Sequence, residues 1–365
     1  MKHWVTSYDY EPSFCEFSYF TEDTIAYDIE TTGLSKKVHQ IYMIGCSYRT
    51  KNAITIEQFF AENPAEEVLI LESFLKVASH YHRQMTFNGA RFDTPFLISK
   101  CEHYQLDATP LSTEHFDIYK ECNKLKHVLH LSSCRQKSIE EFLGIHRDDK
   151  YDGGELISVY HTYCSACDPA AMELLKLHNF DDMKGMIRLL PILTYQNLFH
   201  LMVADLTVEQ NTYTTVSGDD GVELLFSGKT DTTYPVSVHI HSPYGCIAIS
   251  KDMIQGSVLL YKGTLKHFLP DAKNYVYLKD ENIVILKSMA GSIPAERKQP
   301  ATPDLCHIKK DGIFLKIPST LSLTDDIHVF KEERKSKDCY LLFDESEFDS
   351  TFATHYFRGI IHDCK

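Results

Sequence analysis

No stretch of this sequence approaches the roughly 18 consecutive apolar residues that a membrane-spanning helix needs. Its opening, Met1-Lys-His-Trp-Val, lacks the apolar core of a secretory signal. A Walker phosphate loop, the glycine fingerprint of dinucleotide-binding folds and the Gly-x-Ser-x-Gly turn that presents a nucleophilic serine are all missing. There are eleven cysteines, an odd number with no paired framework, which fits structural thiols in a reducing compartment. We therefore expect a cytoplasmic protein with no membrane partner. His161-x-x-Cys164-x-x-Cys167 offers zinc-ligand types but no second pair nearby. Positive charge is short too: 37 Lys and Arg against 51 Asp and Glu leave a net charge of −14. Such a chain is no passive polyanion binder as a whole, although local basic patches can still carry phosphates.

What the chain does have is 365 residues, 43% of them apolar and 12% aromatic, enough for two domains that each bury a core. The aromatic and acidic residues 1–23 are expected to pack along the first domain. Strand-like runs at 24–30, 40–48 and 53–60, joined by short turns, predict an antiparallel meander. Asn63-Pro64 opens a helix to about residue 82, with Val68, Leu71, Phe74, Leu75 and Ala78 at helical spacing. A strand at 84–87 and a helix from Asp93 to about Tyr104 come next. Residues 116–163 read as helical, with Ser138-Ile-Glu-Glu141 in the pattern of a capping box. Another helix covers 169 to about 190.

Three segments carry chemistry. In Thr24-Ile-Ala-Tyr-Asp28-Ile-Glu30, an apolar β-branched run ends in two carboxylates two residues apart, on one face of a strand. They repel unless a cation lies between them, and hard oxygen ligands suit magnesium or manganese. By itself the segment reads equally as a strand running into a solvated acidic turn. In Asn88-Gly-Ala-Arg-Phe92-Asp93-Thr-Pro95, a turn glycine precedes an Asp that opens a helix, which brings that carboxylate near the strand ends; a simple helix cap is the alternative. In His178-Asn-Phe-Asp181-Asp182, His178 and Asp182 lie one helical turn apart. They form either a surface hydrogen bond or a general base beside a metal ligand. Lys120, Lys124, Lys126, Arg135 and Lys137 make a basic band, either a solvated face or a phosphate track.

The order and spacing of Asp28-Ile-Glu30-Thr-Thr-Gly-Leu34, Asn88-Gly-x-x-Phe92-Asp93-x-Pro-Phe-Leu, Ser138-Ile-Glu-Glu-Phe-Leu-Gly144-Ile-x-Arg147-Asp-Asp and His178-Asn179-x-x-Asp182 resemble the DEDD superfamily of 3′–5′ exonucleases. The pattern is closer still to the YprB-like ribonuclease H-like domain family, and the resemblance covers roughly residues 20–200. It implies an α/β class, ribonuclease H-like mixed sheet with flanking helices. It also implies Asp28, Glu30, Asp93 and Asp182 as ligands of two Mg²⁺ or Mn²⁺ ions roughly 4 Å apart, with nucleic acid, DNA or RNA, engaged at a 3′ end. His178 would orient or deprotonate the attacking water, with Asp181 ranked second to Asp182 as a ligand. Thr31, Leu34, Asn88 and Phe92 match positions that contact the substrate, where core packing is the alternative for Leu34 and Phe92. The departure from better-known branches is that here His178 stands four residues before the last Asp, where one branch has Tyr and another has its His five before. A non-catalytic or endonucleolytic nucleic-acid-binding protein of the same fold is the rival reading.

The character changes after Leu190-Pro-Ile-Leu. Residues 1–205 are assigned to the nuclease-like domain and 206–365 to a β-rich accessory domain. Residues 262–310 hold nine Lys or Arg against five Asp or Glu, with Tyr261, Phe268, Tyr275 and Tyr277 interleaved. That composition suits guidance of a single strand, or an ordinary lysine-decorated β surface. Phe343-Asp-Glu-Ser-Glu-Phe-Asp349 reads as a solvated turn or loop.

Overall fold

A computed structural model describes residues 1–10, 18–51, 53–147, 151, 153–215, 218, 220–323 and 327–364. The chain divides into two compact units, Met1–Tyr195 and Gln196–Lys365.

In the first unit the elements are β1 (Lys2–Asp9), β2 (Thr24–Thr31), β3 (Ile41–Thr50), β4 (Ala53–Phe60), α1 (Glu67–Ala78), β5 (Arg83–Thr86), α2 (Asp93–Tyr104), β6 (Glu114–Asp117), α3 (Ile118–Leu125), α4 (Gln136–Phe142), α5 (Gly153–Ala166) and α6 (Pro169–Arg188). Six strands form one mixed sheet in the order β1-β4-β3-β2-β5-β6. The β2-β3-β4 meander is antiparallel as expected, whereas β5 and β6 run parallel to β2.

Central strand β2 is covered on both faces, which is why it reads as a near-continuous apolar run. Ile25, Tyr27 and Ile29 pack with Ile70, Leu71 and Phe74 of α1 and with Phe96 and Leu97 of α2. On the other side Met43 and Phe60 pack with Leu156 and Tyr160 of α5 and Leu175 of α6. The fully buried Glu67 ties α1 to its neighbours: its carboxylate accepts the Ile41 N–H at 2.7 Å and the Tyr104 hydroxyl at 2.8 Å, and pairs with Lys100 at 3.3 Å. Ion pair and hydrogen bonds together meet the cost of burying that charge.

One local expectation takes a more specific form and two are corrected. The opening residues include an edge strand, β1, paired along its whole length with β4; its mostly exposed side chains conceal the strand period. Residues 116–163 do not form one continuous helix: the short β6 precedes α3, and α3, α4 and α5 are separate helices. Ser138 does not cap a helix: α4 begins at Gln136 behind Arg135, and no side chain caps it.

The second unit is β-rich. Strands β7 (Val203–Thr214), β8 (Asp220–Thr230), β9 (Val238–Ser242), β10 (Gly245–Ser250), β11 (Met253–Phe268), β15 (His307–Lys316) and β16 (Tyr340–Leu342) form a seven-stranded sheet. Between β11 and β15, strands β12 (Tyr275–Leu278), β13 (Ile283–Leu286) and β14 (Lys298–Pro300) make a three-stranded sheet. The unit closes with a helix that the sequence pattern does not announce, α7 (Ser350–Asp363). The acidic stretch before it is more than a solvated turn, since Asp349 caps α7 by accepting the Phe352 N–H at 2.8 Å and Phe348 is buried. Among the described residues no helix is long and apolar enough to cross a membrane.

Candidate active site

The site is built where β2 and β5 part. Their parallel pairing ends at Ala26 and Met85, so the last residues of β2 have no strand on that side. Crevices beyond the carboxyl ends of parallel strands are where open α/β sheets hold ligands. Asp28 and Glu30 share the face of β2 opposite Ile29. A register shift between Glu30 and Thr31 marks a bulge at the strand's end, a device that re-aims side chains beside functional sites.

Helix α6 reaches this face because of a row of residues in register, Asp28 opposite Gly45 and Gly45 opposite Gln58. Gly45 leaves space for the helix, as a Cβ there would lie 2.3 Å from Asn179 Oδ1 and 2.8 Å from Met183 Cγ. Gln58 Nε2 donates to Asn179 Oδ1 at 3.0 Å and to the Lys176 carbonyl at 2.9 Å, locking the helix in rotation and height. His178 and Asp182 are thereby turned toward β2. His178 Nε2 lies 3.1 Å from Asp182 Oδ2 and 3.5 Å from Glu30 Oε1. Glu30, His178 and Asp182 each offer a ligand atom within 4.8 Å of the others.

Asp93 arrives from the start of α2. Its Oδ1 accepts the Ile29 N–H at 3.1 Å, and the residue is buried. The turn before it is held by Asp117, whose carboxylate accepts the N–H of Asn88 at 2.8 Å and of Ala90 at 3.3 Å and also caps α3.

Electrostatics bind the four carboxylates into one group. Burial, then the charges of Asp93, Glu30 and Asp182, push Asp28 well above the usual carboxylate range, with Arg147 acting the other way. Burial lifts Asp93 to about 7 against the bonds from the Ile29 and its own N–H, with Asp117 and Asp182 adding to the rise. Asp182 is also raised by burial, but hydrogen bonding and charge from His178 and Arg147 outweigh this and hold it low. Acids that raise one another in this way favour a cation among them, and the hard oxygen donors, with a single imidazole, fit a divalent ion such as magnesium or manganese.

Sequence reasoning assigned no role to Arg147. Its guanidinium contacts Asp182 Oδ1 and grips Glu140 through two nitrogens, one of them at 2.7 Å. Gln136 Nε2 supports this arrangement, donating to Glu140 Oε1 at 3.0 Å and to the Asp182 carbonyl at 2.9 Å. Gly185 leaves room for Glu140, since a Cβ would sit 2.1 Å from its Oε1. Arg147 stood within a quoted motif, but a contact spanning 35 residues has no local signature.

Of the residues matched to substrate contacts, Leu34 is 85% exposed, and the Thr31 hydroxyl donates to the Gly33 carbonyl at 2.9 Å. Asn88 takes a left-handed conformation at φ 65°. Phe92 packs on the core beside Phe96, with ring centroids 5.6 Å apart. Asp181 is buried. In the basic band Lys124 pairs with Glu121 at 2.7 Å.

A mixed sheet of this order, flanked by helices and carrying acidic residues at the end of its central strand, is a ribonuclease H-like domain. Residues 25–194, a little under half of the chain, match the family model RNase_H_2, described as RNase_H superfamily, in keeping with the ribonuclease H-like fold of the N-terminal unit. The uncharacterized protein YprB of Bacillus subtilis (strain 168) is 29% identical over 168 residues, which is 45% of this chain and 40% of YprB. Among solved structures, the family B DNA polymerase of the archaeon Pyrobaculum calidifontis is similar at 13% identity and a TM-score of 0.38, over 71% of this chain and 34% of the polymerase. The zinc-bound E. coli ExoI–ssDNA complex is similar at 11% identity and a TM-score of 0.31, over 79% of this chain and 64% of that one.

Proposed function

We propose that the N-terminal unit is a divalent-metal-dependent nuclease that removes nucleotides from the 3′ end of DNA or RNA. The observation that carries this reading is the convergence of Asp28, Glu30, Asp93 and Asp182, brought from β2, α2 and α6, with burial and neighbouring acids pushing Asp28 and Asp93 up while His178 and Arg147 hold Asp182 low. In this reading they are the ligands of two Mg²⁺ or Mn²⁺ ions, which stabilise the attacking and leaving oxygens of a phosphodiester when bound. Asp28 and Glu30 supply oxygens from a strand braced on both sides. Asp93 supplies one from a helix start whose position the Ile29 N–H sets. Asp182 is held on one oxygen by Arg147, and its other oxygen faces His178. His178 orients the attacking water or accepts its proton, a task for which an imidazole's near-neutral pKa is suited. Its 3.5 Å approach to Glu30 also supports a second role, as a nitrogen donor within the ligand set. The exposed Leu34, beside Thr31, offers an apolar surface to a terminal base in a manner tolerant of sequence.

Polarity is tested with a strand labelled at its 5′ end, offered with and without a phosphorothioate at the last 3′ linkage. The expected outcome is a ladder growing from the 3′ end that the cap blocks. Internal fragments in both samples assign an endonuclease instead, and binding without turnover assigns a non-catalytic nucleic-acid-binding protein.

A further inference from the structure

The basic stretch of the second unit acquires a definite shape in the fold. Lys266 on β11 lies directly opposite Lys309 on β15, and on its other side directly opposite Lys331. Lys266 and Lys331 exchange both backbone hydrogen bonds at 2.9 Å. Residues directly opposite share a face, so three lysines stand in one row across three adjacent segments. Leu265, Phe314 and Phe330 point the other way into a buried cluster, which leaves the lysine row on the outer face. Like charges directly opposite one another are destabilising, and in a chain of net charge −14 this row is no consequence of overall composition. At Lys266 the row crosses an interior position, with β11 paired on one side to β15 and on the other to Lys331.

Two positions along the same face, Phe268 pairs with His307, with ring centroids 5.3 Å apart and both rings half-buried. Burial and the neighbouring Lys266 and Lys309 lower His307, against the hydrogen bond its Nδ1 donates to the Asp304 carbonyl at 3.0 Å. A cleft of about 370 Å³ opens beside them, lined by Lys266, Phe268, Asp304, Glu333, Arg334 and Lys335. Its acids are partly answered from within, as Arg334 lies 3.9 Å from Asp304. Lys331 Nζ donates to the Ser336 carbonyl at 3.0 Å, which fixes the position of that ammonium.

We propose that this face binds single-stranded nucleic acid, with Lys266, Lys309 and Lys331 along the phosphates and the rings of Phe268 and His307 against a base. A row of ammonium groups beside flat side chains is the combination that holds a single strand without reading its sequence. The inference rests on the nucleic-acid reading of the first unit for its choice of polyanion, and on separate residues for its geometry.

The test measures binding of a labelled single strand to the full-length chain by fluorescence anisotropy, in chelator so that nothing is cleaved, across a salt series. K266E/K309E is expected to weaken binding on the order of tenfold and to reduce the slope of log affinity against log salt by roughly 1.4, the counterion release of two phosphate contacts. The charge-matched control K273E/K287E, in the same unit but outside the row, is expected to change neither. Wild-type affinity in K266E/K309E, or equal weakening in both variants, overturns the proposal. Displacement of the strand by poly-aspartate as readily as by unlabelled strand assigns the face to an acidic protein segment and overturns it as well. Should K266E/K309E fail to fold, as judged by circular dichroism, K266Q/K309Q carries the same expectation of a lower salt slope. A chain that binds in this manner but never cleaves keeps this inference and loses the nuclease reading. A chain that cleaves, with its K266E/K309E variant binding normally, does the reverse.

Discussion

Asp93 Oδ1 accepts the backbone N–H of Ile29 at 3.1 Å, joining the first residue of α2 to the strand residue that separates Asp28 from Glu30. The bond has two consequences. It sets the fourth carboxylate by backbone geometry and not by a flexible side-chain contact. It also separates position from charge at this residue, because an asparagine oxygen can accept the same N–H while removing the negative charge.

Asp93→Asn therefore reports on the charge alone, and the sign of its pH dependence follows. Burial and neighbouring acids raise Asp93 to about 7 and Asp28 well above its ordinary value, whereas both titrate near pH 4 in an unfolded chain, at about 3.9. Between these limits the folded, metal-free protein binds more protons than the unfolded chain, so its stability falls as pH rises from about 4 to about 7. The depressed Asp182 acts in the opposite sense, and only as pH falls below about 4. Thermal melts in chelator should show Asp93→Asn gaining on wild type across the upper window, by up to a few kcal/mol. Added manganese should reverse that advantage. Parallel pH profiles for the two proteins would contradict the charge coupling.

Gly45→Ala should unseat α6. The new Cβ would meet Asn179 Oδ1 at 2.3 Å, an overpacking that costs about 1–3 kcal/mol in typical cores. Gly291→Ala, where a Cβ meets nothing within 4 Å, is the matched control. Denaturant melts and manganese titration calorimetry together are expected to show lower stability and weaker metal binding for the first variant only. Metal binding unchanged in Gly45→Ala would show that α6 is not seated through this contact.

Arg147→Met leaves the buried Glu140 without its cation, a change expected to cost about 3–5 kcal/mol. Adding Glu140→Gln removes the stranded charge and should recover most of that loss, giving a coupling above about 1 kcal/mol in a double-mutant cycle. Additive losses would show that the pair does not act as a unit.

The parts of the site that share a local period were legible in the sequence. Alternation along a β-branched strand puts Asp28 and Glu30 on one face, and a spacing of four puts His178 and Asp182 on one side of a helix. The turn glycine and Pro95 bracket Asp93 as a helix start. What stayed hidden depends on register or on distant contacts. Gly45 and Gln58 acquire their role only once β3 and β4 pair opposite Asp28, and Arg147 only once α4 lies against α6. Helix α7 escaped because its phenylalanines, threonines, isoleucines and Gly359 are poor or indifferent helix formers. Burial of Tyr356, Phe357, Ile360 and Ile361 overrides that preference. The lysine row is likewise a product of register, since Lys266, Lys309 and Lys331 lie far apart in the chain.

The central claim is that Asp28 and its neighbours hold divalent ions for phosphodiester hydrolysis, and the most direct measurement sets wild type beside Asp28→Ala. Both would be given 5′-labelled single-stranded DNA and RNA with magnesium, manganese or chelator, and both would be titrated with manganese by calorimetry. The account predicts metal-dependent shortening by wild type, none in chelator, none by a folded Asp28→Ala, and loss of manganese binding in that variant. Hydrolysis by Asp28→Ala at the wild-type rate, or wild-type turnover in chelator, would contradict it.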